Sequence, residues 1–131
     1  MIKMLLKTTS LKSDKNVLFA YVYGSFARGE KDFSDLDIAV YLKKIPRGIV
    51  LYERRLAKAL EKETGKPVDV RIINSMPLLL KSRLLKEGAL IFSRNQKARI
   101  AFETALISSY LDFSHIMKEF NEKRLERYEI R

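Results

Sequence analysis

The chain has 131 residues, of which 47% are hydrophobic and 32% charged, and its formal net charge is +10. This length and composition predict one globular domain and exclude a disordered chain. There is no cysteine, which excludes disulfides and thiolate metal sites. The first 15 residues are interrupted by Lys3, Lys7, Lys12 and Asp14, and no apolar run approaches the roughly 18 residues of a membrane span. We therefore expect no signal peptide and a cytoplasmic location.

Hydrophobic periodicity predicts alternating strands and helices along the first two thirds of the chain. Residues 17–23 form a continuous apolar run, which is typical of a strand covered on both faces. Residues 35–42 alternate in polarity, as in a strand with one buried face. The remaining predicted elements are a helix over 48–64 closed by Gly65 and Pro67, a strand over 68–73, a short helix over 76–87 stopped by Gly88, and a strand over 89–93.

The last third of the chain has a different pattern. From Asn95 onward there is no Pro or Gly, and apolar residues recur every three or four positions, which predicts one long helix. The repeating positions are Phe102, Leu106, Tyr110, Phe113, Met117 and Phe120. Such a stripe belongs either to the core or to a partner surface, since a long helix beyond a small core leaves apolar area uncovered.

The order of these elements indicates an α/β or α+β domain. We expect a small mixed sheet of four strands with helices on one side, which would leave the aspartate-bearing face of the sheet open. We divide the chain into a core over residues 1–94 and a C-terminal helical extension over residues 95–131.

The segment "YGSFARGE" places Gly24 and Ser25 directly after the first strand. Glycine lets the backbone turn sharply and approach a ligand closely, Ser25 offers a hydroxyl, and a short helix beginning here would present free N–H groups to an anion. These features suit a phosphate-binding turn, although an ordinary turn fits the same residues. A Walker A loop is excluded, because Glu30 stands where its lysine must be.

Asp35 and Asp37 are two residues apart on a predicted strand, so their side chains project from the same face. Adjacent carboxylates repel each other unless a cation lies between them. Mg²⁺ is commonly bound by one or two carboxylates together with substrate phosphates. The alternative is a solvated strand edge, although aspartate is a poor strand former.

Asp69 lies inside the apolar strand "VDVRII", where a lone carboxylate would be costly to bury. If this strand lies beside residues 35–42, the three aspartates form a triad able to hold two metal ions about 4 Å apart. Asp69 could also accept a proton from an attacking hydroxyl. An edge residue that simply faces solvent is the alternative.

Together these residues resemble the nucleotidyltransferase signature of the DNA polymerase β superfamily, which is Gly-Ser, a spacer and Asp-x-Asp. "GSFARGEKDFSDLDIAV" is similar to the form found in minimal nucleotidyltransferases, the MNT group, and "KPVDVRII", "LLKEGALIF" and "RIAFETALISSYLDFSHIMKEF" extend the resemblance over nearly the whole chain. The resemblance implies that Gly24 and Ser25 hold a triphosphate. It implies that Asp35 and Asp37 carry the Mg²⁺ ions and that Asp69, the third carboxylate of the triad, helps to activate the acceptor. Arg28 matches an arginine that is frequent near the phosphates.

The resemblance also implies a substrate and a partner. MNT proteins act as antitoxins of HEPN-domain toxins, and some transfer AMP from ATP to a toxin tyrosine. We therefore expect Mg²⁺-dependent adenylylation of a HEPN toxin, within a hetero-oligomer. One alternative is an antitoxin that neutralises its partner by binding alone, and another is an RNA-binding protein that uses the basic residues of 47–92. The complete set of motif carboxylates favours an enzyme, and the lack of interleaved basic and aromatic residues disfavours an RNA platform.

Overall fold

The computed structural model describes residues 9–29 and 35–129, with side chains described up to residue 124. The elements are α1 (Thr9–Ser13), β1 (Val17–Tyr23), α2 (Gly24–Ala27), β2 (Leu36–Leu42), α3 (Ile49–Thr64), β3 (Val68–Ile72), α4 (Leu78–Glu87), β4 (Ala89–Ser93) and α5 (Gln96–Glu129), with a 3₁₀ turn over Ile73–Ser75. The predicted strands and helices are confirmed to within two residues at each boundary. Helix α1 was not predicted from the sequence.

The four strands form one mixed sheet in the order β3-β2-β1-β4. Strand β1 pairs antiparallel with β2 and β4, whereas β2 and β3 are parallel and are joined through α3. The register places Tyr23 opposite Asp37 on one side, and Asp69 opposite Asp37 on the other. The predicted mixed sheet is therefore confirmed, and its register brings the ends of three strands together.

Helices cover both faces of the sheet, so the expectation that they lie on one side is wrong. On the first face, the side chains of Leu36, Ile38, Val40 and Leu42 pack with Leu56 and Leu60 of α3 and Leu11 of α1. On the second face, Phe19, Tyr21 and Ala39 pack with Leu84 of α4 and with Phe102 of α5. Helical periodicity shows that α4 and α5 each have an apolar side, but it does not show which face of the sheet that side covers.

The aspartate-bearing face is therefore open only in part. Helices α4 and α5 cover its centre, where Ala39 is fully buried. Toward β3 the cover ends, since Asp69 and Arg71 are both exposed on that edge strand. This uncovered corner contains the candidate site.

Side chains from α3 protect the outer edge of β3. Glu61 Oε1 accepts a hydrogen bond from the backbone N–H of Val68 at 3.1 Å, and Glu53 Oε2 accepts one from the N–H of Ile72 at 3.0 Å. Unpaired N–H groups on an edge strand invite pairing with another chain. The two glutamates therefore satisfy donors that would otherwise be open, and they hold β3 in place beside β2.

Helix α5 has 34 residues and is therefore about 50 Å long. Its first turns pack on the domain, where the Phe102 ring lies 5.4 Å from Phe19 and 5.1 Å from Tyr41, measured between ring centroids. Among the side chains of α5 that are described, Leu106 is the last buried one, and residues 107–124 are all exposed. In the part of the chain that the structure describes, neither α5 nor any other helix has the length and apolar character needed to cross a membrane. The cytoplasmic location stays a prediction.

Candidate active site

Gly24 turns the chain sharply where β1 ends. Its φ of +75° lies in the left-handed region, and the four-residue helix α2 follows at once. A Cβ atom at this position would lie 2.2 Å from Oδ2 of Asp37, which is closer than any real contact. Glycine is thus required here for two reasons, namely the backbone conformation and the carboxylate packed against it. The sharp turn at Gly24 was predicted from the sequence, whereas the packing of Asp37 against it was not.

The three predicted aspartates lie near one another at the ends of β2 and β3. Asp37 is half-buried in β2, and Asp69 lies directly opposite it on β3. Asp35 is exposed and immediately precedes β2. Residues 30–34, the second part of the spacer between Ser25 and Asp35, lie outside the described residues. Parallel pairing of β2 with β3 therefore brings Asp69 beside Asp37.

Negative charge accumulates at this corner. The pKa of Asp37 is raised above its ordinary value, first because burial removes hydration and then because the charges of Asp69 and Asp35 lie nearby. The charges of Arg71 and Arg28 act in the opposite direction without cancelling the rise. Burial, followed by the charge of Asp37, also raises the pKa of Tyr23 to about 12. Such an excess of negative charge favours a bound cation.

The donor chemistry of this corner fits Mg²⁺, which prefers carboxylate oxygens. Asp37 and Asp69 are neighbours in the sheet register, and the charge of Asp35 acts on Asp37. Among the described residues, however, no three or more acidic or histidine side chains are arranged as a metal-holding group. Asp69 instead lies near Arg71, with 3.7 Å between Oδ2 and Nε. The predicted metal triad therefore stays a prediction.

A cleft of about 220 Å³ opens beside the Gly24 turn. Arg28 lies at this cleft, with its Nη1 3.9 Å from Glu87 Oε2, and Ser25 is half-buried in the same turn. The residues that line the cleft are Tyr23, Gly24, Arg28, Met76, Leu80, Arg83, Leu84 and Glu87. Two arginines beside the turn are consistent with a site for an anionic group, but the roles of Ser25 and Arg28 stay predictions.

Two residues near the aspartates were missed at the level of sequence. Tyr23 was expected to be a packing residue, yet it lies opposite Asp37, and its hydroxyl is affected by the charge of that carboxylate. Arg71 received no role, although it follows Asp69 by two positions and shares its exposed face. Strand alternation could have identified Arg71, because residues i and i+2 project from the same face of a strand.

The family model for polymerase β nucleotidyltransferases matches residues 7–97 of the chain. The chain belongs to the polymerase β nucleotidyltransferase family. The matched region includes every residue proposed above for the site, namely Gly24, Ser25, Arg28, Asp35, Asp37 and Asp69. The chain is also 44% identical over 71 residues to a Methanocaldococcus jannaschii protein named "putative protein adenylyltransferase", and this alignment covers 53% of the chain and 73% of that relative.

Solved structures share the fold over almost the whole chain. A chain from a toxin–antitoxin structure with AMP-PNP aligns with a TM-score of 0.72 at 19% identity, over 93% of this chain and 98% of that one. A chain from the complex of a tri-AMPylated Shewanella oneidensis HEPN toxin with MNT antitoxin aligns with a TM-score of 0.70 at 18% identity, over 95% of this chain and 99% of that one. At these identities the likeness concerns the fold alone.

Proposed function

We propose that this nucleotidyltransferase transfers AMP from ATP to a tyrosine hydroxyl of a HEPN-domain toxin, and that it is the antitoxin of that toxin. The observation that carries the proposal is the placement of Asp37 opposite Asp69 and against the Gly24 turn. Family membership supports nucleotidyl transfer as the reaction class. The adenylyltransferase name of the archaeal relative and the AMPylated toxin of the Shewanella complex support the choice of AMP and of a protein acceptor.

Each residue of the site has a proposed role. Gly24, Ser25 and Arg28 bind the triphosphate, and Asp35, Asp37 and Asp69 would hold two Mg²⁺ ions. When bound, Mg²⁺ supplies positive charge that stabilises the phosphate oxygens during in-line displacement. Asp69 also accepts the proton of the acceptor hydroxyl, whose oxygen forms a bond to the α-phosphorus while the bond to the leaving pyrophosphate breaks.

The exposed part of α5 is the proposed partner surface. From residue 107 to residue 124 its acidic and basic residues balance three against three: Asp112, Glu119 and Glu122 against Lys118, Lys123 and Arg124. Its large apolar side chains are nevertheless exposed, for example 61% at Leu111 and 62% at Ile116. The others are Ile107, Tyr110, Phe113, Met117 and Phe120. So many exposed apolar side chains on a near-neutral helix favour a partner held by burial of apolar area rather than by charge.

The division into a core over 1–94 and an extension over 95–131 belongs to the same proposal. The core contains every proposed site residue, whereas the exposed apolar residues from 107 onward lie on the extension. Neutralisation by binding alone would use the extension without the site. Transfer of AMP would use both, because the partner must be held while its hydroxyl reaches the aspartates.

The experiment that separates these mechanisms uses ATP labelled at the α-phosphate, Mg²⁺ and a HEPN-domain toxin from the source genome. We expect label on the toxin with the wild-type protein and with Asp112→Asn, a matched loss of one carboxylate on α5. We expect label with Asp37→Asn to fall by about 10²–10³-fold. Mass spectrometry of the labelled toxin should place AMP on a tyrosine. Protection from the toxin without any label would overturn transfer and establish binding as the mechanism.

A further inference from the structure

Arg71 occupies an unusual position for a cation, beside the proposed metal ligands. It follows Asp69 by two residues on β3, so the two side chains project from the same face. The distance from Arg71 Nε to Asp69 Oδ2 is 3.7 Å, which is within ion-pair range but too long for a hydrogen bond. The two side chains are 58% and 52% exposed. The contact is therefore a loose ion pair in water, and little free energy opposes its separation.

The charge of Arg71 reaches beyond Asp69. It also acts on Asp37, across the sheet from Asp69, and on the hydroxyl of Tyr23 on the next strand. The charge of Arg28 also acts on Asp37, but Arg28 lies in the cleft beside Gly24, with its Nη1 3.9 Å from Glu87 Oε2. Arg71 is thus the arginine that lies directly beside the carboxylate of Asp69, the member of the proposed triad that lies on edge strand β3.

We propose that Arg71 is a positioning residue that competes with divalent cations for Asp69, and that its guanidinium pairs with nucleotide phosphate once a cation takes that carboxylate. This inference rests on the proposed function, because it assumes that Asp69 is a metal ligand. A guanidinium and a divalent cation repel each other, so each weakens the binding of the other to the same carboxylate. Guanidinium groups bind phosphate well through paired N–H donors, so the displaced side chain has an acceptor when a nucleotide is present.

The proposal predicts opposite changes in two affinities. In Arg71→Gln, Mn²⁺ should bind about two- to fivefold more tightly, because an exposed ion pair no longer competes for Asp69. AMP-PNP at saturating Mn²⁺ should bind about tenfold more weakly, because a charged phosphate contact is lost. Arg71→Lys keeps the charge without the planar fork, so its Mn²⁺ affinity should remain near the wild-type value. A purely structural role for Arg71 would not tighten Mn²⁺ binding.

The full chain is titrated with Mn²⁺, and the free ion is measured by electron paramagnetic resonance. The titration is done first without nucleotide and then with AMP-PNP. Arg55→Gln is the matched control, since Arg55 is an exposed arginine on α3 and its loss changes the net charge equally. Equal urea midpoints for all variants would confirm that each is folded.

The possible outcomes separate this inference from the proposed function. Unchanged or weaker Mn²⁺ binding in Arg71→Gln, or an equal gain in Arg55→Gln, would overturn the role of Arg71 and leave the proposed function standing. If the wild-type protein binds no Mn²⁺, the metal assignment fails and the inference fails with it. Tighter Mn²⁺ together with weaker AMP-PNP in Arg71→Gln alone would support it.

Discussion

Replacing Gly24 by alanine tests whether the turn and the aspartate pair form one unit. The new Cβ would lie 2.2 Å from Asp37 Oδ2 and 3.1 Å from its Cγ, so the carboxylate has to move. Gly65 offers a matched control, because it has a φ of +70° and a Cβ there would meet nothing within 4 Å. Both variants bear the strain of a left-handed alanine, which is about 1–2 kcal/mol. Only Gly24→Ala adds an overlap, which in a packed site costs about 1–3 kcal/mol more.

Urea denaturation monitored by circular dichroism measures both changes in the free energy of unfolding. We expect Gly24→Ala to be less stable than Gly65→Ala, with an unchanged dependence on urea concentration. Adding Asp37→Ala should remove the excess, since the overlapping carboxylate is then absent. We also expect Gly24→Ala, but not Gly65→Ala, to weaken Mn²⁺ binding at least tenfold. If the two glycine variants agree within about 0.5 kcal/mol and bind Mn²⁺ equally, Asp37 does not pack against Gly24 as described.

Three further predictions concern the charge of the site, the partner surface and the sheet edge. Asp37→Asn should lower transfer by about 10²–10³-fold. The variant should also be more stable than the wild type at neutral pH, because folding raises the pKa of the Asp37 carboxyl and the ionised form therefore opposes folding. For the same reason, the wild type should gain stability as pH falls through that raised pKa. Unfolding curves at two pH values check this sign, and a loss of stability in the variant would contradict it. Met117→Asp should abolish capture of the HEPN toxin in size-exclusion chromatography and leave the unfolding midpoint unchanged. Glu122→Ala, which removes a charged side chain from the same exposed part of α5, should retain capture. Retention by both variants would remove α5 from the interface. Glu53→Ala should destabilise the protein by about 1 kcal/mol and promote self-association measurable by light scattering, since the N–H of Ile72 loses its acceptor; a monomeric variant of full stability would show that this edge needs no protection.

The local pattern of residues determined the strands, the helices and the direction of individual side chains. The apolar run over 17–23 predicted β1 without error, because a strand buried on both faces needs apolar residues at every position. Alternation predicted that Asp35 and Asp37 share a face, since this property depends only on the two-residue period of a strand. The turn at Gly24 was likewise predicted from the sequence, because few residues other than glycine adopt a positive φ at the end of a strand.

Tertiary structure alone decided which of these elements meet. The residues of "VDVRII" do not themselves specify that β3 pairs in parallel with β2 and places Asp69 opposite Asp37. Strand order and register follow from the crossover through α3 and from the packing of its leucines. The cover of the second face by α4 and α5 was missed for the same reason, since an apolar stripe shows that a helix packs but not on which surface. The contact between Gly24 and Asp37 joins residues 13 positions apart through the antiparallel pairing of β1 with β2. Periodicity depends on residues that are neighbours along the chain, whereas the site is made of residues that are neighbours across the sheet. Only the packing of the whole domain determines which residues become neighbours across the sheet.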